Sequence, residues 1–326
     1  MPAPRSTTSV SFVIPVKDDA LRLRRCLQSI RRNDVAGVDV DVVVVDNGST
    51  DESKEVARAA GALVVDGPGR RVAALRNLGA KAARGDILAF VDADHEIGSQ
   101  WIRTVVDCLG ERRIGAAGAP CAAPPNGTWV QRWYDRMRSK QHGRHRVDWL
   151  GAGNMAVRRD AFERAGGFDA SLDTCEDVDL CFRLKRAGYG IVSDDEIRNT
   201  HFGDPATLGA VFRGEMWRGR DNLRVTFRGP WTIRHLRSAL VPIFDIAALA
   251  VIVSGLVAAS TWGLSAAATA ATAALFLSFL RAHMMLGGAP FRFRDAASAF
   301  AVAAAYDAGR AWALVARASH RVRRTG

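Results

Sequence analysis

The chain has 326 residues, 48% hydrophobic and 24% charged, a composition that excludes wholesale disorder and, at this length, indicates roughly two domains. Its five cysteines include no Cys-x-x-Cys pair, which excludes a disulfide scaffold and the common zinc frameworks. The net charge of +11 lies mostly in one part of the chain, because residues 1–200 carry +2 and residues 201–326 carry +9. A basic C-terminal part is compatible with binding to nucleic acid or to a membrane surface.

The N-terminal part alternates between apolar strand patterns and amphipathic helix patterns. Strands are predicted at residues 11–16, where Pro15 ends the pattern, and at residues 40–45, 62–65 and 86–91. Helices are predicted between them at residues 21–30, 51–60 and 72–83. This alternation predicts an α/β fold with a doubly wound, mostly parallel sheet. Because such sheets bind ligands beyond the carboxyl ends of their strands, the polar residues that follow the strands are the candidates for chemistry.

Two long apolar segments lie in the C-terminal part. Residues 239–260 contain a single charged residue, Asp245, and residues 261–280 contain none. At 1.5 Å per residue each segment reaches about 30 Å, the thickness of a bilayer core, so we predict two membrane-spanning helices. A pair of buried helices in a soluble protein is the alternative.

Arginines flank this pair of segments on its outer sides, whereas the connection at residues 260–263 has no charge. The positive-inside rule therefore predicts a hairpin with both ends in the cytoplasm. The flanking residues are Arg228, Arg234 and Arg237 before the first segment, and Arg281, Arg292 and Arg294 after the second.

A third apolar stretch, residues 296–316, contains Asp307 and Arg310. If it crossed the membrane, the arginines after it would lie outside, against the positive-inside rule. We therefore favour a helix at the membrane interface or packed on the hairpin, with a third span stabilised by Asp307 and Arg310 as the alternative. The arginines that follow the stretch are Arg317, Arg321, Arg323 and Arg324.

Two carboxylates follow the strand at 86–91 directly, at Asp92 and Asp94. In an extended segment, side chains at i and i+2 leave on the same side, so both can face one ion. Hard oxygen ligands suit Mg²⁺ or Mn²⁺, and an Asp-rich turn without a ligand is the alternative.

Two further polar segments precede them. Asp46 ends the second strand, where a carboxylate is costly unless it is paired or bound to a ligand. Gly69 opens a helix that carries arginines, which suits phosphate binding but also suits a solvated surface helix. The sequence has neither a Walker loop nor a Gly-x-Gly-x-x-Gly after its first strand, which argues against P-loop NTPases and NAD dehydrogenases.

An acidic pair, Glu176 and Asp177, opens a short amphipathic helix that ends at Gly188. Anions at this position interact favourably with the helix dipole, which is a sufficient structural reason for the pair. The functional alternative is that one carboxylate acts as a general base for a hydroxyl.

Together and in this order, the motifs resemble the inverting family 2 glycosyltransferases of the GT-A fold, over residues 11 to about 228. The resemblance implies a catalytic domain at residues 1–228 and a membrane-associated helical region at residues 229–326. The segments that carry it are residues 13–16, 46–51, 76–79, 92–94, 153–159 with 166–169, and 176–179.

The resemblance also implies roles for individual residues. The donor nucleotide is expected at Pro15, Asp46, Arg76 and Asn77. Asp92 and Asp94 are expected to bind Mg²⁺ or Mn²⁺ on the donor diphosphate, together with the donor ribose or sugar. Glu176 and Asp177 form the catalytic pair, with Asp177 the preferred base, and Gly153 and Asn154 shape the acceptor or sugar pocket.

His201 is a further candidate metal ligand, because some GT-A enzymes supply a late histidine. A loop histidine bonded to backbone is the equal alternative.

The implied reaction moves a sugar from a UDP- or GDP-sugar to an acceptor hydroxyl, with inversion in one displacement. The expected acceptor is lipid-linked or a glycan, in cell-wall, exopolysaccharide or glycolipid synthesis. The implied setting is the inner membrane, with membrane lipids as partners and the catalytic domain in the cytoplasm. A sugar-nucleotide pyrophosphorylase and a non-enzymatic membrane or nucleic-acid binder are the competing hypotheses. Nucleic acid is not an expected partner, because the C-terminal arginines flank apolar segments and do not form a soluble face with aromatic residues that could stack on bases.

Overall fold

The computed structural model describes residues 8–33, 36–138, 141–287 and 292–322. The chain divides into two compact units. The sheet unit comprises Met1–Pro124 and Ser139–Gly203, and the helical unit comprises Pro125–Arg138 and Asp204–Gly326.

Within the described residues, the sheet unit contains an eight-stranded mixed sheet and a separate two-stranded sheet. The strands are β1 Thr8–Val16, β2 Val38–Asp46, β3 Leu63–Asp66, β4 Ile87–Val91, β5 His95–Ile97, β6 Ile114–Gly118, β7 His145–Arg146, β8 Asn154–Arg158, β9 Gly190–Ser193 and β10 Asn199–His201. The helices of this unit are α1 Ala20–Arg31, α2 Ser53–Ala59, α3 Val72–Ala82, α4 Trp101–Gly110, α6 Arg159–Arg164 and α7 Glu176–Arg186. The helices of the helical unit are α5 Trp129–Arg138, α8 Leu208–Arg218, α9 Asn222–Thr226, α10 Ile233–Ala258, α11 Thr261–Leu286 and α12 Phe293–Val322.

The large sheet has the order β3-β2-β1-β4-β8-β6-β9-β7. Strands β1 to β4 pair in parallel, β8 runs antiparallel between β4 and β6, and β9 pairs in parallel with β6. The predicted alternation and the mostly parallel sheet are therefore confirmed. One detail differs, because β1 continues past Pro15 to Val16. The pairing of β1 with β4 ends at Val13, so proline without an N–H removes no hydrogen bond from that ladder.

The two faces of the sheet bury separate apolar clusters, as the alternation of side chains along a strand requires. Phe12 of β1 packs with Leu23 of α1 and Trp101 of α4 on one face, and the Phe12 and Trp101 ring centroids are 5.3 Å apart. Val13 points to the opposite face, where its cluster includes Leu180 of α7. Helices cover both faces of the sheet. The polar residues of the sheet therefore lie mainly at the ends of its strands.

The carboxyl ends of β1, β2 and β4 lie along one edge of the sheet. Val16 is in register with Asp46, and Asp92 follows directly after β4. Because β8 is antiparallel to β4, it begins at this same edge, where Asn154 pairs with Val91. The fold therefore brings the segments at 46–51, 92–94 and 151–154 to one edge.

The helical unit contains two helices, among the described residues, that are long and apolar enough to cross a membrane. They cover His235–Ala258 and Thr261–Leu286, with mean hydropathies of 2.4 and 1.7. Only 17% and 11% of their apolar windows are buried, whereas the core helix of a soluble protein is mostly buried. The exposure of these helices favours the membrane hairpin over the soluble alternative.

The third apolar stretch lies within α12, which packs on other helices of its unit. Asp307 accepts hydrogen bonds from Ser278 and Arg281 of α11, at 2.8 and 3.0 Å. Arg310 donates to Glu215 of α8 at 2.7 Å. These ion pairs fit both the favoured helix packed on the hairpin and the alternative third span, in which Asp307 and Arg310 are also paired. Arg323 and Arg324, which bear on the orientation, lie outside the described residues.

Candidate active site

The loop after β2 surrounds the Asp46 carboxylate, which is fully buried. The backbone N–H groups of Gly48 and Ser49 donate to it at 2.9 and 3.0 Å, and Lys54 Nζ lies 3.5 Å away. Gly48 has a φ of +76°, a conformation that favours glycine. The chain itself thus supplies partners for the carboxylate that the sequence left unexplained. Pro15, in β1 beside Val45, is half-buried at the same edge.

Asp92 and Asp94 leave β4 together but contact different groups. Asp92 Oδ1 accepts from Arg76 Nη2 at 2.7 Å. Asp94 Oδ2 lies 3.2 Å from His201 Nε2, and Asp94 Oδ1 lies 3.6 Å from His95 Nε2. Burial would raise the pKa of Asp94, but His201, His95 and a nearby arginine outweigh it and hold that pKa well below its usual range.

Arg76 of α3 joins the strand-end carboxylates to the acidic pair on α7. Its Nη1 donates to Glu176 Oε1 at 2.6 Å while its Nη2 holds Asp92, and the side chain is only 4% exposed. Burial lowers the pKa of Arg76, but Asp92 and Glu176 outweigh it and raise that pKa further. The guanidinium therefore stays charged and holds two carboxylates that are far apart in sequence.

Glu176 and Asp177 form the first turn of α7, and Cys175 before them has a φ of +61°. Burial and the charge of Asp177 raise the pKa of Glu176, Arg76 opposes both, and the pKa lies at about 7. Burial also raises the pKa of Asp177, whose Oδ2 accepts from the Ala152 N–H at 3.2 Å. The pair can therefore take up a proton near neutral pH, which suits acid–base chemistry.

His95 is a site residue that the sequence analysis missed. Its side chain is 3% exposed, and its ring centroid lies 4.3 Å from that of His201. Burial and the neighbouring His201 lower the pKa of His95 to about 4 against the opposing charges of Asp92 and Asp94, so this ring is neutral at pH 7. The available signal was its position directly after the Asp-x-Asp motif.

The residues around Asp94 fit a divalent ion. Asp94, His95 and His201 place one carboxylate oxygen and two ring nitrogens within 4.8 Å of one another. A Cβ on Gly153 would lie 2.7 Å from both Asp92 Oδ2 and His95 Cε1, and a Cβ on Gly203 would overlap the Asp94 carboxylate. Two glycines thus keep open the space beside these ligand atoms.

Gly153, Asn154 and Asn77 have clear structural roles. Gly153 allows the close approach just described. The Asn154 side chain is 1% exposed, accepts from Trp101 Nε1 at 2.8 Å, and donates to two backbone carbonyls. Asn77 exchanges two hydrogen bonds with the backbone of Phe168, at 2.8 and 2.9 Å. The structure thus brings Arg76, Asp92, Asp94, Gly153, Glu176, Asp177 and His201 together and uses Asn77 and Asn154 to shape their surroundings.

Several known proteins are similar to this chain in sequence. The family model "Glycosyl transferase family 2" matches residues 11–166. Glycosyltransferase AglE of Haloferax volcanii is 27% identical over 226 residues, which cover 66% of this chain and 73% of that protein. The succinoglycan biosynthesis protein ExoA of Rhizobium meliloti is 28% identical over 215 residues, 60% of this chain and 64% of that protein. The pre-mycofactocin glycosyltransferase of Mycobacterium tuberculosis is 28% identical over 200 residues, but only 41% of that longer protein is matched.

Solved structures show the same fold. A mannosyltransferase from Pyrobaculum calidifontis, in complex with GDP-Man and Mn²⁺, has a TM-score of 0.57 at 18% identity, covering 92% of this chain and 86% of that one. GalNAc-T7 with UDP, GalNAc and Mn²⁺ has a TM-score of 0.50 at 18% identity, covering 65% of this chain and 48% of that one. The sheet unit therefore has the GT-A fold. Residues 11–166 match the family 2 model, and together with the named relatives this match supports a glycosyltransferase.

Proposed function

We propose that the chain transfers a sugar from a UDP- or GDP-sugar to an acceptor hydroxyl, with inversion in a single displacement. The observation that supports this most is the Glu176–Asp177 pair, because Arg76 connects its buried member, Glu176, to Asp92 at the end of β4. A base next to Glu176 in the chain and a donor-binding carboxylate on the same guanidinium suit a direct displacement, which needs no enzyme nucleophile.

On the donor side, we propose that Pro15 and Asp46 border the nucleotide. Asp94 and His201 would hold Mg²⁺ or Mn²⁺, and Asp92 would face the ion or the donor ribose. The ion, when bound, neutralises charge that develops on the leaving diphosphate. Structural neighbours bound with GDP-Man or UDP and with Mn²⁺ support both the donor class and the metal.

Arg76 and Asn77 have a more specific part in this proposal than the resemblance alone implied. Both Nη groups of Arg76 bind carboxylates, so Arg76 does not contact the donor through them. It acts on the donor indirectly, by holding Asp92. Asn77 supports the segment at Phe168 beside it. Both residues would remain near the nucleotide, as expected, but as supports for the groups that contact it.

Asp177 is the proposed base. Glu176 is held by Arg76 at 2.6 Å, whereas Asp177 accepts backbone N–H groups from Val178 and Ala152 at 2.8 and 3.2 Å. When a carboxylate takes up a proton, its hydrogen bonds weaken. This loss of hydrogen-bond energy is smaller for a carboxylate bonded only to amides than for one bonded to a charged guanidinium. The acceptor hydroxyl would approach beside the segment at 151–154, where Gly153 and Asn154 fix the shape of the pocket.

The test is Asp177→Asn, which keeps the size of the side chain but cannot take the proton. We expect turnover to fall by about 10²–10⁴-fold, with donor affinity by calorimetry unchanged. Asp173→Asn, the same change at a half-exposed carboxylate nearby, is the matched control. Near-normal turnover with intact donor binding would contradict the base assignment, and a product with retained anomeric configuration by NMR would contradict inversion.

We also propose that the acceptor is a lipid-linked saccharide or glycan at the cytoplasmic face of the inner membrane. The two exposed apolar helices support a membrane location, and the ExoA relative is named for polysaccharide synthesis. In this proposal residues 1–228 carry the chemistry and residues 229–326 hold the enzyme at the bilayer, in contact with membrane lipids.

A further inference from the structure

The two-stranded sheet β5–β10 places two histidines side by side. In this antiparallel pair His201 lies directly opposite His95, with Asn199 opposite Ile97. Directly opposed residues on antiparallel strands have neighbouring side chains on one face. Because β5 begins one residue after Asp94, the pairing also brings this carboxylate to the two rings.

Of the two contacts between Asp94 and the histidines, only the one with His201 is a direct hydrogen bond. His95 Nε2 lies 3.6 Å from Asp94 Oδ1, too far for a hydrogen bond. His201 Nε2 lies 3.2 Å from Asp94 Oδ2, and all three ligand atoms lie within 4.8 Å of one another. Two ligands of one octahedral ion, each about 2.1 Å from it, are about 3 Å apart when adjacent and about 4 Å apart when opposite.

We propose that His95 is a third protein ligand, so that the divalent ion is held by Asp94, His95 and His201. The inference rests on the proposed function, which includes an ion at Asp94 and His201, and it adds a ligand and a metal preference. Two imidazoles and one carboxylate suit Mn²⁺ better than Mg²⁺, which prefers an all-oxygen shell.

Asn199 supplies the outer partner that a ligating histidine requires. In the structure its Nδ2 lies 2.8 Å from His95 Nδ1 and donates to Gly153 O at 3.3 Å, which leaves Oδ1 buried without a partner among the described residues. With the amide turned so that Oδ1 faces the ring, His95 donates its Nδ1–H to it and leaves the Nε2 lone pair for the ion. The turned amide gives up the bond to Gly153 O but satisfies Oδ1, so an ion bound at Nε2 favours it.

The experiment titrates Mn²⁺ into the purified full-length chain in detergent micelles, in the presence of UDP or GDP. Electron paramagnetic resonance of free Mn²⁺ gives the affinity, and electron spin-echo modulation of bound Mn²⁺ counts the coordinated imidazole nitrogens. The variants are His95→Gln, His201→Gln and, as matched control, His142→Gln, whose side chain is 84% exposed.

We expect two imidazole nitrogens in the wild type and one in each of the His95 and His201 variants. Mn²⁺ affinity should fall about tenfold or more in both variants and stay unchanged in the His142 control. In His95→Gln the site should also lose its preference for Mn²⁺ over Mg²⁺. The wild-type count needs no variant, so it decides the proposal even if His95→Gln does not fold.

The overturning result is a single imidazole nitrogen in the wild type that His201→Gln removes and His95→Gln keeps. That result leaves the proposed metal-dependent transfer intact. Sugar transfer that continues in EDTA, with no Mn²⁺ bound in the presence of either nucleotide, would instead overturn the metal in the proposed function and this inference with it.

Discussion

Replacing Arg76 with methionine tests whether one buried guanidinium holds the catalytic cluster together. Methionine fills similar space but leaves Asp92 and Glu176 without the cation that now binds them at 2.7 and 2.6 Å. The Arg76 and Glu176 side chains are 4% and 9% exposed, so water cannot replace the lost partner of Glu176 without opening the site, whereas Asp92, 35% exposed, is accessible to water.

The expected loss follows from the two charge-assisted hydrogen bonds. Breaking a buried ion pair by removing one partner costs about 3–5 kcal/mol. For a unit of about 190 residues, each kcal/mol lowers Tm by about 2–4 °C, so we expect a decrease of about 6–20 °C. Arg58→Met is the matched control, because Arg58 and Glu55 form a pair 3.5 Å apart with both side chains more than half exposed. Its effect should stay below about 1 kcal/mol.

The loss should also depend on pH. Arg76 lowers the pKa of Glu176, so its removal lets that pKa rise further above about 7. A carboxyl with a raised pKa binds more protons in the folded state than in the unfolded chain, so stability is lost as pH rises. The Tm difference between variant and wild type should therefore be smallest at pH 5 and largest at pH 8.

The assay is thermal unfolding of the detergent-solubilised chain, followed by hydrogen exchange at α3 and α7 to assign the transition to the sheet unit. A Tm within about 2 °C of the wild type at pH 8 would refute the reasoning. A loss as large for Arg58→Met would show that charge removal in general, rather than this buried pair, is responsible.

Three further predictions follow from the same geometry. The wild-type kcat/KM should decrease below about pH 7, where the Glu176–Asp177 pair takes up a proton. Glu176→Gln should shift this decrease to lower pH because the charge beside Asp177 is gone. A pH profile that does not shift would contradict the coupling between the two carboxylates. Gly203→Ala should lower Mn²⁺ affinity by more than about tenfold because its Cβ would overlap a proposed ligand, whereas Gly110→Ala, with open space around its Cβ, should not. A cysteine at Ser260 should react with an impermeant maleimide in intact cells, while Cys121 and Cys175, the native cysteines that are not buried, should react only after lysis; the reverse pattern would contradict the proposed orientation.

Local patterns in the sequence predicted the fold class and the position of the site. The strand before Asp92 and the strand that ends at Asp46 were visible as apolar runs, and parallel strands bring their carboxyl ends to one edge. The apolar lengths of α10 and α11 likewise indicated a hairpin without any structure. The order of the motifs indicated the family. Each motif is short, but the order in which they follow one another along the chain is specific.

The partners of the candidate site residues could not be predicted from local patterns, because they come from distant parts of the chain. Arg76 and Glu176 are 100 positions apart, and His95 meets His201 only because β5 and β10 pair in one register. Asn154, expected to shape a pocket, forms hydrogen bonds with three groups in the interior, and no local pattern predicted these partners. Periodicity fixes which face of a strand or helix is buried, so the sequence determined the elements, the edge of the sheet that carries the candidate site, and the apolar hairpin. Only tertiary structure decided which charges neutralise each other, because pairing depends on how distant elements pack.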